Sequence, residues 1–442
     1  MSQIELAPYI EELPTNKSIA VALAASCFGW ALDLFDLYLL LYVAPYVGKA
    51  FFPSNSPTLS LAAVYASFVV TLVMRPFGAA VFGPYADRRG RRKAMMTAMA
   101  GSGLCTAAFG LIPGYSSIGV WAPVAFLALR LVQGVFVGGV VASSHTIGTE
   151  TVPKHWRGLV SGMVGGGGAG LGALLTSIVF LVVSSIFPGD LFETWGWRVM
   201  FLSGILSAVC GLTLFNSLEE SPLWKKLRST QETEVKQEKS SPLRQLVSAK
   251  YRKTVLVNLI ITISAGSVYY VTTGYLPTFF RSVNHLTNNV SSILLMATSL
   301  ASIIAGVVFG VLTEKIGRKK SFIYIGLIGF VAVPICFLKL STSLDIWAIA
   351  FYALIIAFMG NAVLAPIPIF LNERFPTAIR ASGTGLSWNI GFAIGGVMPV
   401  FVTLWSKALH GLPITLVLFS VVFFATYVIG AFMGGETRGQ NM

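Results

Sequence analysis

Four ionisable side chains stand inside long apolar stretches of this chain: Asp33, Asp36, Arg75 and Arg130. A charged residue in such surroundings costs roughly 2.5–3.5 kcal/mol on insertion scales, so each is a candidate for function rather than packing alone. Asp33 and Asp36 are three residues apart and share one face of a helix. Two carboxylates in a low-dielectric interior repel, which favours a proton on one of them; a neighbouring guanidinium opposes it. An aspartate held between those influences can take up a proton on one side of a barrier and release it on the other. Guanidinium also forms paired hydrogen bonds with carboxylate, so an arginine left over from such a pair suits an anionic ligand. Asp36, Asp33 and Arg130 are therefore the candidates for proton coupling, and Arg75 and Arg130 for anion binding. The plainer alternative is static: an ion pair that fixes helix packing, with Arg75 held near the Gly78–Gly83 turns by Asp33.

The elements that must position these residues follow from composition. The chain has 442 residues, 55% of them hydrophobic and 11% charged, with a mean hydropathy of +0.75. Soluble domains carry about 25% charged residues, so a soluble enzyme and a disordered chain are both excluded. The apolar residues come in long runs rather than in alternation, which argues against a β-barrel. Twelve runs can be traced between about residues 19 and 434, each near the roughly 20 residues a membrane-spanning helix needs. The predicted class is an all-α integral membrane protein of twelve spans embedded in a lipid bilayer.

The net charge of +13 has a membrane explanation that needs no nucleic acid. With twelve spans both termini share a side. That side would hold 24 of the 31 basic residues and the opposite loops 5, leaving Arg75 and Arg130 within spans. Such asymmetry predicts both termini in the cytoplasm of a cell (plasma or inner) membrane. The N-terminal stretch has Glu5, Glu11 and Glu12 and no basic region, so a signal peptide is not expected. Cys27, Cys105, Cys210 and Cys336 lie apart within apolar runs and imply no disulfide. The four histidines show no ligand spacing and no nucleophile–base arrangement, so neither a metal nor an enzyme activity is expected. Gly165–Gly168 lacks the strand-to-helix context of a phosphate cradle. No cofactor is predicted; the coupling ion would be the proton.

The chain repeats itself. Gly83, Asp87, Arg88, Gly90, Arg91 and Arg92 follow the second run. Gly310, Glu314, Lys315, Gly317, Arg318 and Lys319 follow the eighth, 227 residues later. Glu150, Pro153, Arg157 and Gly162 after the fourth run are matched by Glu373, Pro376, Arg380 and Gly385 after the tenth, 223 residues on. Two matches at about half the chain length indicate duplication: a six-span half over 1–217, a polar linker over 218–252 and a second half over 253–442. Duplicated halves suit a transporter in which one half rocks against the other around a midplane site.

These loops, with Arg130-x2-Gln133-Gly134 and Glu220-Ser-Pro-Leu-Trp224, resemble the major facilitator superfamily over essentially the whole chain. Asp33-x2-Asp36, Arg75-Pro-Phe-Gly78, Pro153-Lys-His-Trp-Arg157 and Trp195-Gly-Trp-Arg198 are similar to its proton symporters for metabolite acids, a group that includes sialate and short-chain carboxylate importers. That resemblance implies secondary active import of a small organic anion (a monocarboxylate, sialate-like or aromatic acid) by alternating access. It implies that Asp36, which aligns through Phe35-Asp36, pairs with the fourth-span Arg130. Substrate would lie between the halves, at Arg75, Arg130 and Gln133 on one side and Tyr269, Tyr270, Asn361, Trp388 and Asn389 on the other. Gating would fall to Gly83, Asp87, Arg88, Gly90, Arg91, Glu150 and Arg157, and to Gly310, Glu314, Arg318, Glu373 and Arg380. Many relatives carry an acid in the fourth span where this chain has Gly138-Gly-Val-Val141, so any role of that acid is absent or relocated. A sugar or polyol symporter, a drug or metabolite antiporter and a non-transporting membrane sensor are the alternatives. A seventh-span sequence without glutamines weakens the sugar alternative. Function as a monomer is expected.

Overall fold

A computed structural model describes residues 16–89, 91–152, 154–216, 246 and 248–439. Twelve helical rods can be traced among them. In the first set α1 is Asn16–Phe51, α2 Pro57–Arg89, α3 Arg91–Phe109, α4 Trp121–Thr151, α5 Arg157–Ile186 and α6 Phe192–Thr213. In the second set α7 is Ala249–Ser282, α8 Asn288–Ile316, α9 Arg318–Thr342, α10 Ile346–Glu373 and α12 Leu412–Met433. Between these last two, α11 runs over Thr377–Gly395 and continues over Met398–Trp405. Eleven of these rods are long and apolar enough to cross a membrane. The twelfth, α3, opens with Arg91, Arg92 and Lys93 and packs along α4 and α6. In lipid a spanning segment must satisfy its own backbone polar groups, which is why unbroken apolar runs become helices here.

The rods break where the sequence dictates. α7 stops at Val271 and resumes at Leu276 with Pro277 in its first turn; α10 stops at Ala362 and resumes at Ile367 after Pro366. Proline lacks the N–H that would continue the ladder. α5 instead widens into a π-helical turn over Met163–Gly167, where four consecutive glycines begin. The predicted linker over 218–252 lies almost wholly outside the described residues. Its last four residues, 249–252, are already the first turn of α7, and Leu246 is buried beside Phe375 and Ile379.

Within the first set α2 packs along α4 and α1 along α4 and α5; within the second, α7 packs along α11 and α12, and α9 along α10 and α12. The sets meet where α5 lies along α8 and α2 along α11. The α5–α8 seam is backbone on backbone: Gly162 and Gly166 sit against Gly306 and Gly310 with no room for a side chain. At the face where α1 begins and α12 ends, here the terminal face, the Gly158 N–H donates to Glu314 Oε2 (2.9 Å) and the Ser161 hydroxyl to the Ala365 carbonyl (2.8 Å). At the opposite face the Tyr46 hydroxyl donates to Asn288 (3.0 Å) and Ser184 to Asn289 (2.9 Å). Contacts therefore bridge the sets at both ends, and the middle is enclosed.

Candidate functional site

The four intramembrane charges resolve into two separate clusters, because Asp33 and Asp36 leave α1 toward different neighbours. Asp33 turns to α2 and faces Arg75 Nη2 at 3.5 Å, with both side chains buried. The contact is an ion pair without hydrogen-bond alignment: among the described residues neither Asp33 oxygen nor Arg75 Nε has a hydrogen-bond partner. Arg75 lies on the side of α2 that meets the second set. Tyr270 of α7 is within electrostatic reach of both Arg75 and Asp33, and its ring meets Phe68 edge-on at 5.5 Å.

Asp36 points into the first set. The Ser102 hydroxyl of α3 donates to its Oδ2 at 2.9 Å, and Thr106 of the same helix stands within reach of the carboxylate. Arg130 stands nearby and acts on Asp36 electrostatically, yet the two form no direct ion pair among the described residues. Arg130 Nη1 instead donates to Gln133 Oε1 (2.8 Å), and Gln133 Nε2 donates to the Thr106 hydroxyl (2.8 Å). The guanidinium lies over the ring of Phe109, 4.1 Å from its centroid, and its Nε and Nη2 are unfilled. The expectation that Asp36 and Arg130 meet is thus met in proximity but not in contact. Ser102, which bonds Asp36, and Thr106, which bonds the Gln133 that holds Arg130, are not among the predicted site residues. Four residues apart on α3, they share a face, and that spacing was the available signal. Arg130 and Gln133 lie within the first set, away from the seam.

At the seam the aromatic residues gather. The Tyr269 hydroxyl donates to that of Tyr38 at 2.5 Å, and Tyr42 bonds Ser177 at 2.8 Å. Trp388 stacks on Phe392 (4.4 Å) and receives the edge of Trp30 (5.5 Å), whose Nε1 donates to the Gly165 carbonyl. Asn361 donates from Nδ2 to Thr273, Ser302 and the Ala357 carbonyl, keeping Oδ1 unfilled. Asn389 is fully buried, and among the described residues neither amide atom has a hydrogen-bond partner. Trp30, Tyr38 and Tyr42 belong to this cluster and were not among the predicted site residues. They stand on the same helix as the two aspartates at helical spacing.

Of the predicted gating residues, the side chains of Asp87, Arg88, Arg91 and Glu150, together with Gly83 and Gly90, lie outside the described residues. The second-set group comes together. Arg318 binds Glu373 through Nη2 (2.8 Å) and Nε (3.1 Å) and reaches Glu314 at 3.1 Å. Glu314 holds the Gly158 N–H across the seam, and Gly310 packs on Gly162. Arg157 is within electrostatic reach of Glu373 and Glu314, and Arg380 donates through Nε to the Asn372 and Phe375 carbonyls. An unpredicted partner comes from beyond α12. The Thr437 hydroxyl donates to Glu373, and Glu436 accepts the N–H groups of Arg318, Lys319, Thr437 and Arg438. Burial alone would push the Glu436 carboxyl up, but those four backbone donors outweigh it and hold it below its usual 4.5.

Residues 19–398 match the profile described as Major Facilitator Superfamily. The chain belongs to that superfamily. It is 30% identical to the inner membrane metabolite transport protein YhjE of Escherichia coli K12, over 98% of this chain and 97% of that one. It is 29% identical to the glycine betaine/proline/ectoine/pipecolic acid transporter OusA of Dickeya dadantii, over 87% and 77%. The proton:xylose symporter XylE bound to 6-bromo-6-deoxy-D-glucose shares the fold, with a TM-score of 0.76 at 18% identity over 96% of this chain and 98% of that one. As a facilitator the protein is a multi-pass membrane transporter of small molecules and not an enzyme. The all-helical, duplicated-loop architecture read from the sequence is the facilitator fold.

Proposed function

We propose that this facilitator is a proton-coupled importer of a small carboxylate-bearing metabolite, working as a monomer in the inner membrane with both termini cytoplasmic. The first set of helices (1–217) and the second (253–442) are the two halves that rock. The observation that carries the reading is the division of the intramembrane charges into two clusters, Asp33 with Arg75 facing the seam and Asp36 with Arg130 enclosed in the first set. The seam-facing cluster, Asp33 and Arg75, is placed to exchange the aspartate for a substrate carboxylate on the guanidinium. The enclosed cluster, Asp36 and Arg130 with Ser102, Thr106 and Gln133, is placed to hold the proton. Asn389, Asn361, Tyr269, Tyr270 and Trp388 supply the opposite wall, and Arg318, Glu314 and Glu373 the latch at the terminal face. A substrate carboxylate taken up beside Arg75 adds a negative charge to the buried set, and a proton taken up on Asp36 offsets it, so the two move together. That sequence of events is symport.

A second reading is favoured by the aromatic lining. Trp30, Tyr38, Tyr42, Tyr269, Tyr270 and Trp388 surround the seam, and clustered ring faces suit a quaternary or secondary ammonium group. A zwitterion carrying both groups, such as the betaine and proline named for OusA, would use Arg75 at one end and the rings at the other. Uptake by purified protein in liposomes separates the readings. Labelled lactate, sialate, benzoate, glycine betaine and a hexose would each be offered with and without an inward proton gradient. Gradient-driven accumulation of an acid or of the betaine supports the coupling assignment and names the class. Hexose uptake, or acid flux indifferent to the gradient, would mean that the four charges are structural.

A further inference from the structure

A cavity of about 470 Å³ opens at the face opposite the termini, between the α1–α2 connection and the outer ends of α7, α11 and α12. Its mouth is the exposed segment 53–57. Its lining is aliphatic and hydroxylic, with Pro45 and Leu61 beside Thr58 and Ser60, and the fully buried Tyr275 forms its inner end. Lys49 lines it, and Lys407, which is not among the lining residues, donates at 3.4 Å to the half-buried Ser56 between the lining residues Ser54 and Pro57. No carboxylate is among the described residues that line it. Lys49 Nζ donates to both carboxylate oxygens of Glu193 (3.3 and 3.2 Å), which is not among the lining residues, and the Lys49 side chain is largely exposed. An aliphatic pocket lined by hydroxyls and a lysine suits a small organic anion that would take the place of Glu193 on the ammonium.

The inner end leads on along one face of α2. Tyr65, Phe68, Leu72 and Arg75 follow helical spacing on the side that meets the second set. Tyr65 stacks on Tyr275 with centroids 5.6 Å apart and rings 24° from parallel. Both rings are bolted by their hydroxyls, Tyr65 to Thr278 at 2.7 Å and Tyr275 to Thr403 at 2.8 Å. Below them Phe68 meets Tyr270, Leu72 lies against Gly396, and Arg75 follows. The stacked tyrosines therefore separate the outer cavity from the seam-facing charge cluster.

We infer that the outer cavity is a second binding site, one that holds the carboxylate by Lys49 and Lys407 before the Tyr65–Tyr275 pair admits it to Arg75. The inference rests on the carboxylate reading of the central site and adds a separate station to it. The test is thiol labelling of Ser60→Cys in the full chain with its four native cysteines replaced by alanine. An anionic methanethiosulfonate should react about tenfold faster than a cationic one of the same size, and Lys49→Gln with Lys407→Gln should bring the two near parity. Benzoate and lactate should slow the labelling while glucose does not, and this protection should survive Arg75→Gln. Protection lost with Arg75, equal protection by glucose, or a charge preference indifferent to both lysines would overturn the inference. Should Arg75→Gln not give folded protein, the double lysine variant decides. It should raise the benzoate concentration for half-protection about tenfold, and an unchanged value refutes the site. Protection that persists while no acid is transported leaves the outer site standing and removes the central-site reading alone.

Discussion

The α5–α8 seam makes the sharpest mechanical prediction. A Cβ added at Gly162 would lie 2.1 Å from the Gly306 carbonyl oxygen and 2.6 Å from Gly310 Cα. Both neighbours are backbone, so no side chain can swing away. Ordinary contact begins at 3.4 Å, and Gly162→Ala must therefore hold the two helices about 1.3 Å further apart at this point. Overpacking of this kind costs typically 1–3 kcal/mol. The penalty applies only where the seam is closed, because the halves separate here when the terminal face opens. The closed arrangement should then be disfavoured about 5- to 150-fold. The assay is labelling of Ala365→Cys, buried at the seam, by a membrane-impermeant maleimide added on the terminal side. Gly162→Ala should raise the labelling rate and lower gradient-driven uptake at least about fivefold. Gly435→Ala, which meets nothing within 4 Å, should change neither. Uptake and labelling at the unsubstituted level in Gly162→Ala would show that the seam does not close by this contact.

Three further outcomes are expected. Asp36→Asn should abolish proton-driven accumulation while sparing exchange of substrate across the membrane; loss of both, or of neither, contradicts its assignment. Arg318→Gln should destabilise the protein by about 3–5 kcal/mol, since it leaves Glu373 buried beside Glu314 without its cation; a melting temperature within a degree or so of the parent protein would refute this. Glu436 is held below its usual 4.5, so the stability it contributes is present above that value and lost as pH falls through the lower folded value. Unfolding followed by tryptophan fluorescence between about pH 3 and 6 should show a shallower acid-side decline in Glu436→Gln, and identical profiles would dismiss the tail as a partner of α9.

The fold was legible because lipid leaves a spanning chain so few options. Long apolar runs must be helices, and two loop motifs at matched spacing reveal the duplication without any contact information. The charge clusters were only half legible. Spacing places Asp33 and Asp36 on one face, but a rotation of three residues on a helix is enough to send one to α2 and the other to α3, and sequence does not say which neighbour stands where. Charge alone allows Asp33 to pair with Arg75, but nothing in the sequence marks Ser102 as the partner of Asp36. Hydroxyl residues in spans are common and carry no charge to flag them. Glu436 and Thr437 were invisible for a different reason. They act on Glu373 and Arg318 from more than sixty residues away, through a tail that composition alone reads as a solvated end.

The charge count of the two clusters bears on the identity of the cargo. With Asp33, Asp36, Arg75 and Arg130 all ionised the buried set is neutral. Adding a monocarboxylate makes it −1, and a proton on Asp36 restores neutrality. A buried uncompensated charge is expensive, so the occluded state that crosses the membrane should carry one proton for each such anion. Transport is then electroneutral. A zwitterion adds no net charge, and the same proton leaves the occluded state at +1. Moving that charge couples uptake to the membrane potential at about 2.3 kcal/mol per 100 mV. A potassium–valinomycin potential, inside negative, imposed on liposomes at equal pH should therefore leave monocarboxylate uptake unchanged and accelerate betaine uptake. Potential-driven accumulation of a monocarboxylate would mean that more than one proton travels with it, and that Asp33 as well as Asp36 is protonated in the loaded state.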